Sequence, residues 1–214
     1  MHVLVAHLGD FLAGMRLTVA LTLASFAGAL VIGVVVAACR VSPVTPLRAA
    51  GTAYVETLRN IPLLVLLVLF YFGFPKIGIS YLQFPSAVIV ISAYTATFVA
   101  EAIRSGVNTV AQGQAEAARA LGLTFPQNLR LVVIPQALRA VVAPIGNIFI
   151  ALIKNSSLAS AISVMELAFV AEKLITDTAQ PFAVLLGTAA AYLVLALPAG
   201  WLFRVIERRV AIKR

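Results

Sequence analysis

The chain has 214 residues, 62% of them hydrophobic and only 11% charged. A soluble domain is roughly 45–50% apolar and about 25% charged, so there is too little polar side chain here to cover a water-facing surface. That excludes an ordinary soluble enzyme, a disordered segment and a collagen- or disulfide-type chain, and leaves a protein whose solvent is lipid. The net charge of +8 is also what a nucleic-acid binder shows, but its placement along the chain gives it another meaning.

Five segments approach the ~20 apolar residues that cross a bilayer as a helix. The first, Leu17–Ala38, is uncharged and bracketed by Arg16 and Arg40; residues 7–16 before it are expected to form an amphipathic helix along the outer interface. The second, about Val55–Phe74, has Glu56 and Arg59 near its first turn and Pro62 just inside. The third, Phe84–Ile103, is interrupted only by Glu101, which can pair with Arg104 three residues on. The fourth, about residues 140–163, follows Arg139 and is broken in character by Lys154-Asn155-Ser156-Ser157. The fifth, Pro181–Phe203, ends at Arg204. The runs are too long for strands and do not alternate. The expectation is an all-α integral membrane protein of one domain, residues 1–214. The N-terminus carries no Lys or Arg in residues 1–10 and does not read as a signal peptide.

Charge sets the orientation. With the C-terminus inside, the cytoplasmic side holds Arg40, Arg48, Arg59, Arg104, Arg119, Arg130, Arg139, Arg204, Arg208, Arg209, Lys213 and Arg214. Only Arg16, Lys76, Lys154 and Lys173 lie outside, while the acidic residues split evenly. The +8 is therefore read as a topology signal, N-out and C-in. Small residues recur every fourth position at Ala29, Gly33 and Ala37, and again at Ala196 and Gly200. Such stripes let helices approach closely, within the chain or at a subunit interface.

Between the third and fourth spans lies a long inner loop, residues 104–136. It reads as two short helices. One covers about Gln114–Leu121 and stops at Gly122. The other begins at Thr124, where Thr124-Phe125-Pro126-Gln127 has capping-box spacing. Pro135 marks the start of the fourth span. The small apolar face of the first helix suits docking into a groove on another protein, or packing within this chain.

The run Gln112-Gly113-Gln114-Ala115-Glu116-Ala117-Ala118-Arg119-Ala120-Leu121-Gly122, closed by Val132-Val133-Ile134-Pro135, resembles the EAA motif of ABC importer permeases, with Val132 and Ile134 as mild departures. Tyr54–Leu64, Phe98–Gly106 and Leu152–Leu158 resemble the polar amino acid branch of that family, over essentially residues 11–210. Within the branch, Arg40-Val41-Ser42-Pro43, Thr97–Glu101 and Gly113–Arg119 are most similar to bacterial glutamate uptake permeases. The resemblance implies a type I (MetI-like) permease fold with a cytoplasmic coupling helix, in the bacterial cytoplasmic membrane. It implies that Gly113, Gln114, Glu116, Ala117, Ala118, Leu121 and Gly122 engage a cytoplasmic ATPase. It also implies two such ATPase subunits, a second permease subunit, taken as a paralogue in a heterodimer, and an extracytoplasmic amino-acid-binding protein.

No enzyme site is visible. His2 and His7 lie at one terminus without clustered ligands, so no metal site is expected. There is no Walker-type phosphate loop; the chain is expected to bind no cofactor, with ATP and Mg on the partner ATPase. Lys154 lies roughly 22 Å along its span, past the middle of a ~30 Å core. It either lines a translocation path, with Asn155, Ser156 and Ser157 supplying neutral hydrogen bonds, or snorkels to the outer interface. Asn60, Tyr94 and Thr97 complete the candidate path. The alternative function is an ATP-independent secondary transporter or channel, for which inverted repeats are expected; five spans do not halve, and no repeat is evident.

Overall fold

The computed structural model describes residues 5–210; His2, Lys213 and Arg214 lie outside them. The described residues are helical, without strands. The order is α1 (Leu8–Val41), α2 (Thr45–Asn60), α3 (Leu63–Val68), α4 (Gln83–Asn108), α5 (Gln112–Ala120), α6 (Phe125–Asn128), α7 (Ile134–Asn155), α8 (Leu167–Thr178) and α9 (Pro181–Val210). A π turn (Leu69–Gly73) and a 3-10 turn (Phe74–Ile77) extend α3, a π turn (Leu129–Val133) joins α6 to α7, and a 3-10 turn (Ser156–Ile162) extends α7.

The first and last spans are longer than expected. α1 runs unbroken from Leu8, so residues 7–16 are not a separate interfacial helix but the end of the first span. Nothing in Leu8–Arg16 breaks a helix, and Phe11 and Gly14 are buried, Gly14 lying against the Leu167 backbone. α9 continues past Phe203 to Val210.

The second span begins later than predicted. Val55–Asn60 belongs to α2, and the chain bends by 100° between Thr45–Asn60 and Leu63–Ile77. Pro62 explains the corner: its ring disfavours the helical region for the residue before it, and Ile61 is extended at φ −96°, ψ 131°. Among the described residues, four helices are long and apolar enough to cross a membrane, and a fifth crossing is counted if the bent pair is one span.

The inner loop is shorter than its polarity suggested. Arg104–Asn108 remains in α4, and residues 125–162 form one continuous helical stretch. Pro135 does not interrupt this rod, because it follows a π turn and sits in the first turn of α7.

The stripe Ala29, Gly33 and Ala37 is buried and packs within the chain. A Cβ on Gly33 would lie 2.5 Å from Val99 Cγ1, and one on Gly28 2.5 Å from Ser92 Oγ. Ser92 donates to the Ser25 carbonyl at 3.1 Å. Lipid provides no hydrophobic drive for helices to associate, so close backbone approach of this kind carries the contact. At the end of this pair, the Glu101 carboxylate accepts from both Arg104 and Arg40. The pairing with Arg104 was expected, whereas Arg40 reaches in from α1, sixty-one residues away. Leu21, Leu67, Ile91, Leu152 and Ile162 form the central core, in which α1, α3, α4 and the rod meet. Large apolar side chains on α1 and α9, among them Val31, Leu186, Leu193 and Trp201, face outward, as lipid-facing surface does.

Candidate functional site

The rod 125–162 carries the two regions that sequence reasoning singled out, one near each end. Near its start α5 folds back on α6. Gly122 closes α5 with φ +81°, a conformation that suits glycine. Its N–H reaches the Arg119 carbonyl at 2.9 Å, and the Leu123 N–H reaches the Ala118 carbonyl at 3.1 Å. These are the paired bonds of a Schellman cap. The Thr124 N–H then donates to Gln127 Oε1 at 2.9 Å, the return half of the predicted capping box.

Of the candidate coupling residues, Gly113, Gln114, Glu116, Ala117, Leu121 and Gly122 are exposed. Ala118 is not: it is buried, because it lies one turn beyond Ala115 on the face that packs against α6. Leu121 is 82% exposed and Phe125 79%. Two large apolar groups at a polar turn are an unpartnered surface, and Phe125 had not been singled out because it reads as part of the cap.

Near the other end, a cleft of about 240 Å³ separates α4 from α7, lined by Tyr94, Thr95, Phe98, Asn147, Ala151 and Asn155 among others. Tyr94 and Asn155 from the candidate path meet here. Asn147 joins them and was missed. Lys154 lies two turns beyond Asn147 on the same stripe of α7, and both are exposed. The Arg59 guanidinium sits 5.0 Å over the Phe98 ring on the cleft wall.

The other candidates fall elsewhere. Thr97 and Ser156 are fully buried, and their hydroxyls donate to the carbonyls of Tyr94 and Ile153, each at 2.7 Å. Ser157 donates to the Lys154 carbonyl at 2.7 Å. Each hydroxyl closes onto its own preceding turn, the usual local competitor for a serine or threonine in a helix, which takes Thr97 and Ser156 off the cleft. Asn60 stands at the α2–α3 corner and donates to the Glu56 carbonyl at 2.7 Å.

One polar cluster was not foreseen. Glu166 caps α8, accepting from the Phe169 N–H at 3.0 Å, the Tyr192 hydroxyl at 2.8 Å and the Thr18 hydroxyl at 3.4 Å. It is fully buried. Burial holds its carboxyl above the usual carboxylate range.

Comparison with known proteins identifies the family. Residues 29–212 match the family described as binding-protein-dependent transport system inner membrane component. The chain belongs to this family. The permease is 40% identical over 210 residues to the glutamate transport system permease protein GluC of Corynebacterium glutamicum, covering 92% of each chain. It is 38% identical over 200 residues to the probable glutamine ABC transporter permease protein GlnM of Bacillus subtilis, covering 94% of this chain and 93% of that one. It superposes on a crystal structure of an amino acid ABC transporter with TM-score 0.92 at 32% identity, covering 96% of both chains. The fold is that of MetI-like type I importer permeases.

Proposed function

We propose that this permease is the membrane subunit of an ATP-driven importer for a polar amino acid, with glutamate as the substrate. The observation that carries the reading is the rod 125–162 itself. It bears exposed Phe125 at one end, next to exposed Leu121 of the turn before it, and the polar stripe of Asn147, Lys154 and Asn155 near the other. In the N-out, C-in orientation the first end faces the cytoplasm. There α5 docks on an ATPase subunit, and the second end faces a path shared with a second permease subunit, a paralogue of this one. ATP and Mg bind the ATPase pair, an extracytoplasmic binding protein delivers the amino acid, and five crossings sit in the bacterial cytoplasmic membrane. Closing of the ATPases moves α5, and the rod carries that motion to the cleft. Such coupling requires two global states with different contacts. Glutamate fits because Lys154 places a cation on the stripe, and the relatives GluC and GlnM are similar over nearly the whole chain.

The test is to purify the complex and measure which amino acid, presented on its binding protein, stimulates ATP hydrolysis. Stimulation by glutamate above glutamine, aspartate and the basic amino acids is expected. Stimulation by none of them, with uptake that follows an ion gradient and ignores ATP, establishes the secondary-transporter reading instead.

A further inference from the structure

α5 has two covalent neighbours, α4 before it and α6 after it, and the structure treats them differently. Toward α4 the connection is loose. Thr109 and Val110 still donate backwards to Ser105 and Val107, so α4 completes its own hydrogen bonds. Ala111 is extended, at φ −58°, ψ 133°, and α5 starts afresh at Gln112.

Toward the rod the connection is clasped. α5 packs on α6 and on the π turn Leu129–Val133. In that seam Asn128, 6% exposed, donates its Nδ2 to the Ala115 carbonyl at 2.9 Å. Ala115 is in the second turn of α5, so its carbonyl already serves the helix; Asn128 takes that oxygen's second lone pair. The Asn128 Oδ1 is buried without a partner. A buried, half-satisfied carboxamide carries the desolvation penalty of its unpaired oxygen, and a leucine of about the same size would fill the seam without that penalty. Stability alone therefore does not account for the residue.

We propose that Asn128 is a positioning residue for coupling: its bond to the Ala115 carbonyl locks α5 to the rod, so that α5 and α7 move as one body while the chain flexes at Ala111. The inference rests on the coupling reading above and adds which helix receives the motion. Displacement of α5 is then delivered along α7 to Asn147 and Lys154, roughly 30 and 40 Å beyond Asn128 at ~1.5 Å per residue, and not to α4. α4 stays with α1 through Gly28, Gly33 and the Glu101 carboxylate and touches α7 closely where Gly106 lies against Ala137 and Val141, so the α4–α7 cleft beyond that contact is the seam that changes shape.

Two measurements on the reconstituted complex test this. The first compares Asn128→Leu, Asn128→Asp and Glu116→Lys for amino acid taken up per ATP hydrolysed, normalised to assembled complex. Asn128→Leu and Asn128→Asp, neither of which donates to the carbonyl, are expected to lower that ratio about fivefold or more, the lower end of typical coupling energies, while ATP hydrolysis continues. An unchanged ratio overturns the clasp. If Glu116→Lys lowers the ratio and the Asn128 variants do not, the clasp alone fails; if none lowers it, the coupling reading fails too. The second measurement does not depend on altering Asn128. With Cys39 replaced by serine, spin labels at Ala120 and Arg139 report the α5–α7 distance, and labels at Ala120 and Ser105 the α5–α4 distance. On ATP binding the first distance is expected to stay fixed and the second to change. The reverse pattern overturns the proposal.

Discussion

The Tyr192 hydroxyl donates to the Glu166 carboxylate across 2.8 Å, and this contact ties the last span to the cap of α8. Thr18 brings α1 to the same carboxylate and also accepts the Leu167 N–H at 3.1 Å, so three separate helices share one acid. Glu166→Ala leaves two buried hydroxyls and the α8 cap without their acceptor. A loss of about 2–4 kcal/mol is expected from unsatisfied groups and a missing cap together, read as a drop in the melting temperature of the purified complex.

The same acid predicts a pH effect. Because burial raises its value in the folded state, the native protein holds this proton more tightly than the unfolded chain does. Its contribution is fully present below the unfolded value of about 4.3 and is lost as pH rises through the higher native value. Glu166→Gln keeps an acceptor for Tyr192 and removes the charge. Melting temperature followed from about pH 4 to 8 is expected to fall with rising pH more steeply in the wild type than in the variant.

Gly33 predicts a packing effect. A methyl group there meets Val99 Cγ1 at 2.5 Å and Val99 Cβ at 2.7 Å. Gly33→Ala is expected to cost about 1–3 kcal/mol by overpacking, and Val99→Ala in the same chain to restore part of it. Thermal denaturation of both variants in detergent checks the sign.

Lys154 separates two uses of one cation. Lys154→Met is expected to lower uptake of glutamate per assembled complex by more than tenfold, about 1.4 kcal/mol or more, while the amount assembled changes little. Equal uptake per complex makes the side chain an interfacial anchor instead.

Gly122 predicts an effect on the lever. Proline fixes φ near −65°, which is incompatible with +81°. Gly122→Pro therefore breaks the Schellman cap and re-aims Thr124 and α6. Insertion is expected to persist while uptake per ATP falls, both measured in proteoliposomes.

The spans were legible because apolar content and length are one-dimensional properties: the four helices long enough to cross were each found, with the missed residues at their ends, whereas the more polar α2 was not expected. Gly122 was legible for a similar reason, since a helix stop needs a residue that accepts positive φ. The corner at Ile61–Pro62 was misread because a proline two residues inside an apolar run also suits a first turn; only the extended Ile61 distinguishes the two. Arg40 with Glu101, Asn128 with Ala115, and Glu166 with Thr18 and Tyr192 were not legible. Each pair is decided by which face of one helix meets another, and spacing along a single helix carries no record of that. The buried hydroxyls close onto their own helices. Thr97 and Ser156 looked like path residues, yet a carbonyl three residues back was always within reach.

The bend at Ile61–Pro62 leaves the segment after it only the residues Leu63–Ile77. At ~1.5 Å per residue these rise roughly 22 Å, against a hydrocarbon thickness near 30 Å. A short crossing is accommodated by local thinning of the bilayer, at a cost that grows with each ångström of mismatch. A segment this short is better matched to a thin bilayer than to a thick one.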